Sequence, residues 1–242
     1  MTASTQLQAL RSLLDEQGFG KAFPAPQRRA YPPAPTGVAD LDALLGGGLP
    51  RGQISELVGV TSSGCTRLVL SVLAEATRAG EVAAYIDATD CLDPRSAEQA
   101  GVVLDRLLWV RCHGAKIQNE PRYEPLLKQT RVDQTWQALN LVVSAGGFGV
   151  IVLDAGGLPR RKLRQWQSYQ WLRPRRAIEH SPTALLLMSE QHLAGSASTL
   201  VLELSREKTH WKGVPGVSLL LDGISTSIRL AQQRRRAMAA GA

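Results

Sequence analysis

The sequence of 242 residues contains only three cysteines, Cys65, Cys91 and Cys112. Their number is odd and their spacing matches no zinc-binding pattern, so we expect neither a disulfide framework nor a bound metal. No apolar run approaches the roughly 20 residues that a membrane-spanning helix needs. The N-terminus also lacks the charged and apolar regions of a secretion signal. We therefore expect a cytoplasmic protein with no membrane partner.

Acidic residues are the minority among the charged side chains. The chain has 28 lysines and arginines against 21 aspartates and glutamates, which gives a formal net charge of +7. This excess favours an anionic partner such as nucleic acid without identifying one. An apolar content of 44% is ordinary for a globular domain, and the length suffices for one large core.

Residues 59–66 read Gly-Val-Thr-Ser-Ser-Gly-Cys-Thr and have the spacing of a phosphate-binding P-loop. A buried strand is predicted before the loop at 52–58, and an amphipathic helix after it at 67–79. In a P-loop the backbone N–H groups cradle phosphates, a lysine reaches the β and γ phosphates, and a hydroxyl holds Mg²⁺. Here Cys65 stands where the lysine belongs. The candidate loop residues are Gly59, Ser62, Ser63, Gly64, Cys65 and Thr66.

Short apolar runs alternate with helical patterns through most of the chain. Runs of this kind indicate strands of a parallel sheet that is covered on both faces, which places the fold in the α/β class. Beyond residue 209, glycines and a proline predict short strands at an antiparallel edge. The predicted strands of the main sheet are 52–58, 82–87, 107–111, 149–154, 183–189 and 199–204.

The chain is predicted to have four parts. Residues 1–20 form an amphipathic helix, which either packs on its own core or is offered to a neighbouring molecule. Residues 21–35 are a proline-rich extended linker. The main core spans 36–230, and residues 231–242 form a basic, disordered tail.

The order of these segments resembles the ATPase core of the RecA recombinase family. The resemblance rests on Leu-Pro-Arg-Gly at 49–52, the loop at 59–66, Asp-Ala at 87–88, Leu-Asp-Pro at 92–94 and Val-Ile-Val-Leu-Asp at 150–154. It spans about 36–205 and implies a RecA-like core with a mostly parallel sheet flanked by helices. Within that superfamily, the short length and the altered loop look most like the ImuA group, the RecA-like accessory proteins of mutagenic translesion DNA synthesis.

Departures from the family pattern bear on catalysis. The family's water-polarising glutamate corresponds to Thr89, and its adenine-stacking tyrosine corresponds to Ser96. The resemblance also implies a Mg²⁺-associated role for Asp154 and a nucleotide-sensing role for Gln191. For Asp154 we favour the alternative, a carboxylate that caps a backbone N–H. We therefore expect no catalytic residues, no hydrolysis, and ATP binding that is lost or weak.

A basic segment with interleaved aromatic residues spans 159–176. Arginines supply phosphate contacts and aromatic rings supply base stacking, which together suit single-stranded DNA. An acidic protein partner and an ordinary solvated surface are the alternatives. Because Leu163, Trp166, Tyr169 and Leu172 recur at every third position, a helix here would bury much of the aromatic surface. The candidate binding residues are Arg160, Arg161, Lys162, Arg164, Trp166, Arg173, Arg175 and Arg176.

The resemblance implies a non-catalytic accessory protein of the SOS response to DNA damage. Its implied partners are RecA, an ImuB-type Y-family-like mutasome protein, a C-family error-prone polymerase and single-stranded DNA. Two alternatives stay open, a weak DNA-stimulated ATPase and a cell-division inhibitor of the SulA-like group. The replacements at Cys65, Thr89 and Ser96 argue against the ATPase.

Overall fold

The computed structural model describes residues 31–112, 130–214 and 218–233, together with Ser12 and Glu16. The chain divides into two compact units, Met1–Ala30 and Tyr31–Ala242. Ser12 and Glu16, both helical, are the described residues of the first unit. The predicted helix at 1–20, most of the predicted linker and residues 234–242 of the predicted tail otherwise lie outside the described residues.

The second unit is built on a seven-stranded sheet with the order β3-β2-β4-β5-β1-β6-β7. Among the described strands, β1 to β6 pair in parallel, and β7 pairs antiparallel with β6. The strands are β1 Gln53–Val58, β2 Ala83–Asp87, β3 Leu107–Arg111, β4 Val150–Asp154, β5 Ala184–Ser189, β6 Ser198–Val214 and β7 Ser218–Gln233. The helices are α1 Ala39–Leu45, α2 Cys65–Arg78, α3 Pro94–Gln99, α4 Arg131–Ala145, α5 Arg160–Leu163 and α6 Leu172–Ile178. The predicted α/β fold with a mostly parallel sheet is confirmed.

Every residue of β2, β4 and β5 is buried, because helices cover both faces of the sheet. One core lies on the α2 face and includes Val69 and Leu73. The other lies on the opposite face and includes Leu139 of α4 and Ile178 of α6. Strands sandwiched in this way have no polar face, which explains their continuous apolar sequences. No helix among the described residues is long and apolar enough to cross a membrane.

The β6–β7 hairpin differs from the short strands predicted beyond residue 209. The two strands have 17 and 16 residues, and Gly223 lies inside β7 opposite His210. Register shifts near Arg206 and His210 accommodate irregular residues without ending the pairing. The prediction of an antiparallel edge is confirmed, but the prediction of short strands is wrong. The strand also continues to Gln233, so residues 231–233 belong to β7 rather than to the predicted tail.

Candidate functional site

The loop at 59–66 connects β1 to α2 in a compact turn. Ser62 and Gly64 both have positive φ, 65° and 97°. A Cβ on Gly59 would lie 2.9 Å from the carbonyl oxygen of Leu204, so this position accepts only glycine without a backbone shift. The Gly59 N–H donates to the carbonyl of Ser189 over 3.0 Å, which ties the loop to the end of β5. The sequence therefore folds here into the strand, turn and helix that a P-loop needs.

The loop forms one wall of a cavity of about 570 Å³. All eight residues 59–66 line this cavity, and Asp154 at the end of β4 lines it too. The structure therefore brings the loop and Asp154 together. Gln191 does not line the cavity; its carbonyl accepts a hydrogen bond from the Ser189 hydroxyl instead.

Cys65 is the first residue of α2 and is 7% exposed. Its Sγ lies 3.2 Å from the hydroxyl oxygen of Ser63. Burial raises the pKa of the Cys65 thiol, and nearby Asp154 raises it further, although the Ser63 contact opposes both effects. The thiol therefore stays protonated near neutral pH and places no positive charge in the cavity.

The start of α2 keeps the properties that favour an anion. Within the described ranges, no side chain caps the helix at Gly64. The first N–H groups of a 14-residue helix and its positive dipole end therefore face the loop without a side-chain acceptor. The backbone cradle of the loop does not depend on the residue at position 65.

The β6–β7 hairpin contributes to this site, which the sequence did not indicate. Ile224 of β7 lines the cavity. Thr226 packs so closely on the loop that its Oγ1 lies 2.5 Å from the position of a Cβ built on Gly64. Contacts between residues this far apart in the chain leave no spacing pattern that could have predicted them.

Asp154 is buried and accepts two hydrogen bonds. The Tyr85 hydroxyl donates to Oδ2 over 2.6 Å, and the Gly156 N–H donates to Oδ1 over 2.8 Å. Burial raises the pKa of Asp154 to about 6, even though both hydrogen bonds favour the ionised form. Burial also raises the pKa of Tyr85, and the neighbouring Asp154 raises it further. Through the Gly156 contact, the carboxylate at the end of β4 caps a backbone N–H.

The two other altered positions are occupied by short hydroxyl side chains. Thr89 lines the cavity, and its hydroxyl lies 3.4 Å from the carbonyl oxygen of Gly156. Ser96 does not line the cavity; its hydroxyl donates to Asp93 over 2.6 Å at the start of α3. Neither position presents a carboxylate or an aromatic ring to a nucleotide.

The basic segment forms two short helices, α5 and α6, joined by a turn, rather than one continuous helix. Arg160 of α5 forms an ion pair with Glu190 over 3.5 Å, and Glu190 lines the loop cavity. The segment therefore begins beside the cavity. Among the candidate cations, Arg175 is half-buried, and the exposed ones are Arg160, Arg161, Lys162, Arg164, Arg173 and Arg176.

The placement of Trp166 corrects the expectation that its ring is available for stacking on bases. The side chain is 6% exposed. Its ring centroid lies 5.6 Å from that of Trp136 and 6.0 Å from that of Trp171. Three tryptophans thus pack together under the segment, because burying large apolar rings stabilises the core more than exposing them. Tyr169, at 65% exposure, is the aromatic ring that this segment leaves at the surface.

A family model of the RecA N-terminal domain matches residues 25–157 of this chain. Protein RecA of Clavibacter michiganensis is 34% identical over 164 residues, which cover 65% of this chain and 40% of that protein. Protein RecA of Aquifex pyrophilus is 35% identical over 159 residues, which cover 63% of this chain and 41% of that protein. Protein RecA of Methylococcus capsulatus is 40% identical over 122 residues, which cover 50% of this chain and 30% of that protein. The chain thus spans less than half the length of these curated relatives.

Proposed function

Because this chain belongs to the RecA N-terminal domain family, we propose that it is a non-catalytic RecA-like accessory protein of mutagenic translesion DNA synthesis, of the ImuA type. The observation that carries the proposal is the state of the loop. Its turn, its helix and its cavity are kept, but the lysine position holds the buried, hydrogen-bonded thiol of Cys65. The protein acts by binding RecA, mutasome proteins of the ImuB and C-family polymerase types, and single-stranded DNA.

Three separate losses support binding over ATP hydrolysis. A charge-assisted hydrogen bond, which Cys65 cannot make, contributes about 1.5 to 3 kcal/mol. Thr89 has no basicity near neutral pH with which to activate water. Ser96 donates its hydroxyl to Asp93, the residue that caps α3, and supplies no ring for adenine. An ATPase would need substitutes for all three roles.

The basic segment is the surface through which the protein binds DNA. Its exposed cations begin beside the loop cavity, where Arg160 pairs with Glu190. Single-strand binding uses cations along the phosphate backbone and aromatic rings under the bases. Tyr169 offers such a ring at the surface, whereas the neighbouring tryptophans are buried.

The N-terminal 20 residues provide the contact with RecA in this proposal. In RecA itself, by the family resemblance, an N-terminal helix and linker join each subunit to its neighbour. A molecule that has such a helix but no ATP switch would cap or disrupt a RecA filament. It would therefore inhibit or terminate strand exchange.

The DNA contact is tested by changing Arg160, Arg161 and Arg164 together to alanine. If each contributes a phosphate contact, the plot of the logarithm of the association constant for single-stranded DNA against the logarithm of the salt concentration is expected to become less steep. Its negative slope should shrink by about 2, at roughly 0.7 per contact. Fluorescence anisotropy of a labelled oligonucleotide at several salt concentrations measures this slope. The matched control changes the exposed cations Arg95, Arg131 and Lys208 to alanine, with the same loss of charge.

Deletion of residues 1–20 is the reciprocal variant in the same experiment. It is expected to weaken association with RecA while leaving the salt slope of DNA binding unchanged. The triple arginine variant is expected to keep its association with RecA. Equal slopes for the two triple variants, together with unchanged RecA strand exchange in excess protein, would contradict the proposal.

A further inference from the structure

Strand β7 forms one edge of the sheet. Among the described residues it pairs with β6 on one side and with no strand on the other. Its 16 residues make it much longer than β3, the strand of five residues at the opposite edge. A long edge strand presents a row of backbone N–H and C=O groups that can pair with a further strand. The outer edge of β7 is therefore a candidate for strand addition.

The central part of β7 lacks the features by which proteins usually prevent such pairing. Edge strands are commonly protected by lysine, by proline or by a short length. Residues 218–233 contain no lysine and no proline. Their two charged side chains, Asp222 and Arg229, form ion pairs with Lys212 and Glu203 of the neighbouring strand β6. Residues 223–228, between these ion pairs, are uncharged and half-buried, so they present no charge to an incoming strand.

The uncharged stretch reads the same in both directions. Residues 224–228 are Ile-Ser-Thr-Ser-Ile, with Thr226 at the centre. If a two-fold axis passes through Thr226 of two antiparallel copies, each isoleucine lies opposite an isoleucine, each serine opposite a serine, and Thr226 opposite its own copy. Cross-strand pairs of β-branched side chains and of hydroxyl side chains stabilise sheets. A second copy of this chain therefore offers a strand that matches this edge position by position.

Backbone geometry and space both permit this register. An antiparallel ladder contains directly opposed residues in hydrogen-bonded and in non-hydrogen-bonded pairs, so Thr226 can face its own copy whichever way its N–H points. The same register places Arg229 of one copy opposite Gly223 of the other. A Cβ built on Gly223 would have no atom within 4 Å, so glycine leaves room there for the long arginine side chain.

We propose that two copies of this chain pair antiparallel through the outer edges of β7, centred on Thr226, and form a symmetric dimer with one continuous sheet. The two-fold axis of such a pair is perpendicular to the sheet and keeps equivalent faces on the same side. Thr226 packs on Gly64 and Ile224 lines the loop cavity, so the axis lies beside both loops. Leu163 and Trp166 pack on the face opposite α2, so the two basic segments lie together on that face.

Sedimentation equilibrium of the full chain tests whether the dimer forms. A single strand pair is a small interface, and small interfaces dissociate readily. We therefore expect the mean mass to rise from 26.2 kDa towards twice that value between about 1 and about 300 μM protein. A mass that stays at 26.2 kDa over this range would overturn the proposal, because it would mean that the edge does not pair with a second copy.

Charge at position 227 tests the register. Ser227 lies opposite the exposed Ser205 of β6, so a longer side chain there can reach solvent. In the dimer the two copies of position 227 lie diagonally across the axis, about 7 to 8 Å apart. Ser227→Lys or Ser227→Glu alone places like charges there and is expected to weaken association about fivefold. An equimolar mixture of the two variants should associate about tenfold more tightly than either alone, because opposite charges then meet.

The matched controls are Ser144→Lys and Ser144→Glu, which change an exposed serine of α4 and are expected to leave association unchanged. Self-association that both Ser227 variants leave at wild-type strength would overturn the proposal. A mixture of the folded Ser227 variants that associates no more tightly than its components would overturn it too. Neither DNA nor RecA takes part in these measurements, so failure of the dimer leaves the proposed function standing.

Hydrogen exchange of the wild-type protein keeps the register testable if a Ser227 variant does not fold. Pairing of the two edges puts outward backbone N–H groups of β7 into hydrogen bonds. Amide exchange within residues 223–228 is therefore expected to slow as the protein concentration rises. Exchange there that is independent of concentration, while the mean mass rises, would place the interface elsewhere and overturn the proposal.

Discussion

Replacement of Cys65 by lysine is expected to raise the affinity for ATP by about 10- to 100-fold. The change restores one charge-assisted contact, which contributes about 1.5 to 3 kcal/mol, and each 1.4 kcal/mol corresponds to a factor of ten. Cys65 lines the cavity of about 570 Å³, so the longer side chain can extend into it. The start of α2 has no side-chain cap, and Thr66 lines the same cavity.

Turnover by the Cys65→Lys variant is expected to stay at background, because Thr89 still offers no base for the attacking water. Isothermal titration calorimetry measures the affinity, and phosphate release measures turnover. Cys65→Met is the matched control, since it lengthens the side chain without adding charge. An affinity for ATP that is the same in both variants would show that the charge at position 65 is not what limits binding.

The ionisation of Asp154 is expected to lower the free energy of unfolding by about 3 kcal/mol as the pH rises from about 3 to about 7. The pKa is about 6 in the folded protein against an ordinary value of 3.8, so the folded state binds this proton more tightly than the unfolded state. Stability from this group is therefore complete below about pH 3.8 and is lost as the pH rises through 6. The magnitude follows from 1.36 kcal/mol per pKa unit.

Asp154→Asn isolates this contribution from the other carboxyl groups of the protein. The amide has nearly the same shape and keeps an acceptor for the Gly156 N–H, but it does not ionise. Urea unfolding at several pH values should show a difference between wild type and variant that changes by about 3 kcal/mol between about pH 3 and about pH 7. The exposed Asp105→Asn serves as control. A difference that is constant with pH would contradict the predicted ionisation.

The sheet and the loop could be predicted because each follows from local sequence. Strands buried on both faces must be apolar along their whole length, and β4 and β5 show that pattern. The P-loop spacing predicted the turn at 59–66, since the positive φ of Gly64 is a local backbone requirement. Features of this kind are encoded within about ten neighbouring residues.

Features that depend on distant contacts were missed. Gly223 suggested a strand end, but pairing with His210 keeps it within β7. Trp166 was among the candidate binding residues, but its ring packs on Trp136 of α4, which is distant in the chain. Glu56 was treated as part of an apolar strand, and only the structure shows that one of its oxygens has no donor.

Titration of ATP into the wild-type protein tests most directly the claim that this chain works by binding rather than by chemistry. We predict no saturable binding at micromolar ATP and no turnover above background, because Cys65, Thr89 and Ser96 supply no ammonium group, no carboxylate and no aromatic ring. Thr66→Ala is the control, since it removes the hydroxyl that would hold Mg²⁺. Turnover clearly above background in the wild type, abolished by Thr66→Ala, would contradict the claim.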